Sequence, residues 1–177
     1  IVTFALAQGI TIRVGHSVGQ NNKKAVNNAT YVGMFYASAF MLLVTLLYWG
    51  FPEKLIAIDF NLHDIKNATI VRLAKEFLAL AALVQLFEAP RFALFGALRG
   101  LKDTRFTLFT SVLIFWIIAL PLGAIALSYG FGGYGIWWAT ILAEIIGIFL
   151  LVWQYRRKVK EYLFEPNNQQ TILRRRF

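Results

Sequence analysis

The chain has 177 residues, of which 58% are hydrophobic and only 15% charged, and its formal net charge is +9. So apolar a composition, with a strongly positive mean hydropathy, excludes an ordinary soluble domain and makes this a membrane protein. It has no cysteine, which rules out disulfides, thiolate metal sites and cysteine nucleophiles, and His16 and His63 are too few and too far apart for a histidine metal site.

The stretch IVTFALAQGITI opens the chain as the apolar end of a helix with no start signal. Residues 1–12 are shorter than the roughly 20 residues a hydrocarbon core requires, so the chain is expected to be a fragment with a truncated first span. Four spans of suitable length follow, at 29–51, 77–98, 106–128 and 135–153. Even lengths without in-out alternation predict an all-α, polytopic helical bundle and not a membrane barrel. Between the second and third of these five segments, FPEKLIAIDFNLHDIKN alternates short apolar turns with charges and reads as a surface loop with a small interfacial helix. Residues 1–157 are expected to form the bundle and 158–177 a flexible tail, with Pro166 and an Asn/Gln run opposing helix.

Basic residues sort the connections. Arg13, Lys23, Lys24, Arg99, Lys102, Arg105 and the tail from Arg156 fall on one side, whereas Lys54, Lys66, Arg72 and Lys75 on the other are offset by Glu53, Asp59, Asp64 and Glu76. Short cytoplasmic loops collect Lys and Arg, so the C-terminus is expected inside. The same distribution, flanking spans and lining no groove, speaks against a nucleic-acid partner. The Asn-Ala-Thr triplets at Asn28 and Asn67 carry no weight, since the pattern is short. The glycines of GFGGYG lack a Lys-Ser/Thr partner and a strand-helix setting, which argues against a nucleotide site; no hydrolase or transferase constellation and no cofactor is expected.

The informative stretch is ALVQLFEAPRFALFGALRG, Ala82 to Gly100. Measured back from the expected interface near Arg99, Glu88 lies about 16 Å deep at 1.5 Å per residue, near the midplane of a core about 30 Å thick. Charge at that depth is costly and should face the bundle interior or a water-filled cavity. Gln85 and Arg91 share the face of Glu88, and Pro90 leaves the carbonyl of Leu86 without its helical donor, a bend of the kind that mid-membrane ion sites use. Glu88 is therefore a candidate coupling carboxylate for H+ or Na+. The structural alternative is a Glu88 to Arg91 pair that neutralises itself, Arg91 being about 12 Å deep and beyond simple snorkelling.

Glu144 is the second mid-span carboxylate, with Thr140 and Gly147 on its face, and is either hydrogen-bonded at a helix contact or poised at the cavity. Thr110, Ser111, Thr45 and Ser38 read as helix-helix contacts or backbone-bonded hydroxyls and not as ligands. Most aromatics suit lipid, core and interfacial belts, while Phe87, Phe92, Phe95 and Trp116 are candidates to line a pocket for a lipophilic cation through cation-π contacts.

TIRVGHSVGQ (Thr11 to Gln20), FPEKLIAI, VQLFEA, GALRGLKDTR (Gly96 to Arg105), the Phe115 to Gly123 stretch and GYGIWW together resemble the C-terminal half of multidrug and toxic compound extrusion (MATE) transporters. The likeness runs to about Arg157. It implies the end of the eighth through the twelfth helix of a twelve-helix transporter made of two six-helix lobes, with the N-terminal lobe of the same transporter as its partner. In the bacterial NorM-like branch an acidic residue of the tenth helix contributes to cation coupling, and the resemblance places Glu88 there, including as a Na+ ligand. Pro90, Arg91 and Glu144 depart from the branch's pattern. The implied function is antiport, in a bacterial inner membrane, of small, cationic and amphipathic organic compounds against H+ or Na+. The rivals are a flippase for lipid-linked or polysaccharide precursors and a non-transporting membrane scaffold.

Overall fold

The computed structural model describes residues 1–58 and 68–164. These form α1 (Val2–Gly19), α2 (Lys23–Gly50), α3 (Pro52–Ile56), α4 (Ala68–Gly100), α5 (Thr104–Val112), a π-helical segment (Leu113–Ala119), α6 (Leu120–Ser128) and α7 (Gly132–Phe164). There is no strand among the described residues, as the even spans predicted. The second half of the expected interfacial loop, with His63 and Asn67, and the tail beyond 164 lie outside the described residues.

Among the described residues, three helical stretches are long and apolar enough to cross a membrane: Lys23–Gly50, Thr104–Ser128 and Gly132–Glu161. The stretch expected as a span at 77–98 lies inside α4, whose 33 residues extend about 50 Å at 1.5 Å per residue. α3 is the short helix anticipated after Phe51, opened by Pro52 at its first turn, where a missing N–H is harmless. α7 continues through Phe164, past the point where a flexible tail was expected. No breaker occurs before Pro166, and Lys158 pairs with Glu161 one turn on at 3.1 Å.

The tight connections follow from capping chemistry. After α4, Lys102 adopts a left-handed backbone (φ 61°), its N–H donates to Arg99 O and that of Asp103 to Leu98 O, both at 2.9 Å. This Schellman closure satisfies carbonyls the helix end would otherwise orphan. Asp103 then starts α5 by accepting from Phe106 N at 3.4 Å, and it also accepts from Gln154 Nε2 of α7 at 2.5 Å. The same closure recurs around Asn21 after α1 and Gly130 after α6, with Asn22 Oδ1 capping α2 at Ala25 N.

α5, the π segment and α6 make one rod. Its buried positions are Thr107, Thr110, Ile114, Ala119 and Gly123, so the inward face advances by three, four, five and four residues. The step of five is the wide turn itself. Its cause lies two residues beyond the end of the segment: Pro121 has no N–H for the carbonyls behind it, and Leu120 N–H reaches back to Phe115 O.

α4 is the centre of the bundle and packs on α1, α2 and α7. Against α1 the backbones touch. A Cβ on Gly96 would stand 2.3 Å from Ala7 O, and one on Gly100 would stand 2.8 Å from the Val14 side chain. Small residues four apart permit this approach, and Thr11 Oγ1 exploits it by donating to Gly96 O at 3.0 Å. Against α2, Thr45 Oγ1 donates to Ala82 O at 3.1 Å. The main core, including Ile10, Val14, Val26, Ala93, Leu98 and Leu151, surrounds this half of α4.

The two ends differ in character. Tyr155 of α7 donates to Asn27 of α2 at 2.9 Å and Gln154 reaches Asp103, so the basic connections after α1 and α4 and the basic end of α7 gather at one end. The opposite end is held by the Glu53–Lys75 pair at 2.7 Å, by Trp49 Nε1 donating to Ala79 O at 3.2 Å and by Tyr134 donating to Glu76.

Candidate ion-coupling site

Between these ends the charged inventory is short. The described helical stretches 2–12, 25–50, 77–98, 106–128 and 132–155 contain three charged residues, namely Glu88, Arg91 and Glu144. The fold brings all three together. Arg91 is 2% exposed and Glu144 is fully buried, whereas the Glu88 side chain keeps 34% exposure.

Arg91 holds the centre. Its Nε donates to Glu144 Oε2 at 2.5 Å across the α4–α7 contact, and its Nη2 donates to Glu88 Oε1 at 3.2 Å one turn back on α4. The Glu88 to Arg91 contact of the structural alternative thus exists, but the shorter bond goes to Glu144, 53 residues away in sequence. Three aromatic rings surround the guanidinium, Phe92 at 5.0 Å, Phe95 at 5.1 Å and Phe115 at 5.2 Å from ring centroid to Cζ. Their faces stabilise a cation where water does not reach it.

The backbone explains how a side chain of this size fits. Gly147 is one turn beyond Glu144 on α7, and a Cβ there would meet Ile114 Cδ1 at 2.2 Å and Arg91 Cδ at 3.6 Å. The missing side chain makes room for both. Phe115 comes from the π segment, whose wide turn sets the direction of its ring. α4 runs through Pro90 without interruption, and Ala89 beside it is fully buried.

One atom is left over. Glu144 Oε1 is buried and has no hydrogen-bond partner among the described residues. No group of three or more His, Cys, Asp or Glu placed to hold a metal ion is found among them either.

Of the other residues named from sequence, Gln85 is half-buried one turn before Glu88, and Phe87 is half-buried. Phe92 and Phe95 face Arg91 as cation-π partners. Their cation is the protein's own. Trp116 is 69% exposed, adjacent in sequence to the ring that does face the cluster. A separate groove of about 880 Å³ runs between α1 and α2, lined among others by Ile10, Arg13, His16, Gly33 and Tyr36. None of the four aromatics lines it. Sequence reasoning missed Phe115 and the pairing of Arg91 with Glu144. The only signals in the sequence were the small Gly147 near Glu144 and Pro121 behind the π turn.

Comparison with known proteins places this geometry in a family context. The sequence pattern of the MatE family matches residues 1–125. The "Probable multidrug resistance protein NorM" of Brucella suis is 38% identical over 138 residues, 77% of this chain and 29% of that protein. Its counterpart in Mesorhizobium japonicum is 33% identical over 162 residues, 90% of this chain and 35% of that protein. The "Multidrug resistance protein NorM" of Burkholderia vietnamiensis is 30% identical over 167 residues, 94% and 36% respectively. The chain therefore spans about a third of the length of the curated relatives it matches. In fold it is similar to the crystal structure of the eukaryotic MATE transporter AtDTX14, with a TM-score of 0.70 and 19% identity over 93% of this chain and 37% of that one.

Proposed function

We infer that this chain, which belongs to the MatE family of membrane transporters, is part of a secondary active antiporter in a bacterial inner membrane that exports organic, cationic and amphipathic compounds in exchange for H+ or Na+. The relatives' names as multidrug resistance proteins support the substrate class. The positive residues gathered at one end support a cytoplasmic C-terminus.

The observation that carries the reading is the asymmetry of the two carboxylates. Glu144 is sealed between helices with Arg91, while Glu88, on the same cluster, keeps a third of its side chain exposed. A carboxylate deep in a membrane that is tied to a buried network and also keeps part of its surface uncovered can load and release a small cation. Loading changes the interaction between α4 and α7, and an ion shifts a conformational equilibrium only through such a difference between states.

The test is ethidium efflux by the full-length transporter in proteoliposomes under imposed proton or sodium gradients, wild type against Glu88→Gln. Gradient-driven efflux in the wild type that disappears in a folded Glu88→Gln protein supports the reading. Equal gradient-driven efflux by both removes Glu88 from coupling.

A further inference from the structure

The cluster holds two carboxylates and one guanidinium, and the guanidinium sits between them. We propose that Arg91 is a resident cation that makes this site proton-specific: held in place by Glu144, it excludes Na+ from Glu88 and leaves H+ as the ion that site accepts. The inference deepens the antiporter reading and rests on it.

A sodium ion bound by Glu88 needs several oxygen ligands around a permanent positive charge. Here the Glu88 carboxylate already accepts from Arg91 Nη2 at 3.2 Å, so a second permanent cation would sit within a few ångström of the guanidinium and be repelled by it. A proton is opposed by the same charge, which favours the ionised carboxylate, but it needs no room for a second ion beside the guanidinium. It leaves water, forms a covalent bond to a carboxylate oxygen of Glu88 and needs no coordination shell; the carboxyl becomes neutral, and its long bond to Nη2 weakens. Arg91 keeps its shorter bond to Glu144 at 2.5 Å throughout, and the three rings at 5.0 to 5.2 Å hold the guanidinium in the same place.

The charge inventory sets how much charge the site takes up. With all three groups ionised the cluster carries one net negative charge, and the same stretches of α1, α2, α5, the π segment, α6 and α7 bring no other charged residue to it. One monovalent charge balances it. The unpartnered Glu144 Oε1, buried in the same cluster, is a second oxygen that a proton can use without a coordination shell. Arg91 is thus the specificity-determining residue, and Glu144 is its positioning residue.

The experiment uses the full-length transporter, with ethidium efflux in proteoliposomes as one readout and the melting temperature of the purified protein in NaCl against KCl as the other. The wild type should be driven by a pH gradient and not by a sodium gradient at fixed pH, and its melting should not distinguish Na+ from K+. The double variant Arg91→Met/Glu144→Gln keeps Glu88 and removes the resident cation together with its counter-charge. It should gain a sodium-specific rise in melting temperature, with apparent Na+ affinity above wild type by a factor of about five, the water-screened effect of removing a like charge about 4 Å away, less the share offset by the loss of the more distant Glu144 charge. Sodium-driven efflux or a sodium-specific melting shift in the wild type overturns the inference and leaves the antiporter reading standing. A folded double variant indifferent to Na+ also overturns it. Efflux driven by neither gradient overturns the antiporter reading and this inference with it. If the double variant does not fold, the two wild-type measurements decide.

Discussion

Arg91 Nε and Glu144 Oε2 stand 2.5 Å apart although 53 residues separate them in the chain. This bond fastens α4 to α7 at a depth where neither partner meets water. Removing one partner leaves the other charged and buried, which costs about 3–5 kcal/mol, whereas replacing both by well-packed apolar or neutral groups is often close to neutral. Glu144→Ala should therefore lower the melting temperature of the full-length protein in detergent far more than Arg91→Met/Glu144→Gln does. Equal losses in the two would mean that the pair acts by packing alone.

The contact of α1 with α4 has no room for a methyl group. In Gly96→Ala the new Cβ would press on Ala7 O at 2.3 Å, a backbone atom that moves only if α1 moves, and the Thr11 to Gly96 bond is lost with it. Overpacking of this kind costs about 1–3 kcal/mol. Thermal unfolding of Gly96→Ala should show that loss, while Gly9→Ala, where a Cβ meets nothing within 4 Å, should stay near wild type.

Asp103 serves two helices at once, capping α5 through Phe106 N and receiving Gln154 Nε2 from α7. Loss of an N-cap alone costs about 0.5–2 kcal/mol. Asp103→Ala should exceed Gln154→Ala in its effect on stability, because only the former removes both bonds. Asp103→Asn, which retains an acceptor for the cap, should recover most of the difference in the same melting assay.

The Glu53–Lys75 pair predicts a modest pH dependence. The hydrogen bond and charge of Lys75 hold the Glu53 carboxyl below its ordinary value. A carboxylate depressed by folding adds stability above its unfolded pKa, and that contribution is lost as the pH falls through the lower folded value. The site is exposed, so the effect is small and screened by salt. Acid titration of melting temperature in low salt should show a slightly shallower decline for Glu53→Gln than for wild type, and the difference should vanish in about 1 M salt, where the Debye length is about 3 Å.

Hydropathy and loop charge sufficed for the helices and for the gathering of basic connections at one end, because both depend on local composition. Glu88 and Arg91 were legible for a related reason: charge inside an apolar run is visible without knowledge of the fold. Their partner was not. Whether Glu144 meets Arg91 depends on which face of α7 packs against α4, and that is decided by Gly147 making room for Ile114 and the Arg91 stem, a steric condition with no periodic signal. The start of the expected tail at residue 158 differs from the structure for the opposite reason: charged residues there read as solvated, yet the helix continues through Phe164 and Val159 on the same stretch is buried.

The step of five along the buried face of the Thr104–Ser128 rod, from Ile114 to Ala119, has a further consequence. A wide turn contains one residue more than the helix needs to connect the same two ends. The rod therefore stores a spare residue beside Arg91, whose guanidinium faces the Phe115 ring. Deleting a single residue between Phe115 and Ile118 would ordinarily throw half a helix out of register. In this rod it would instead consume the slack and leave both anchored ends where they are.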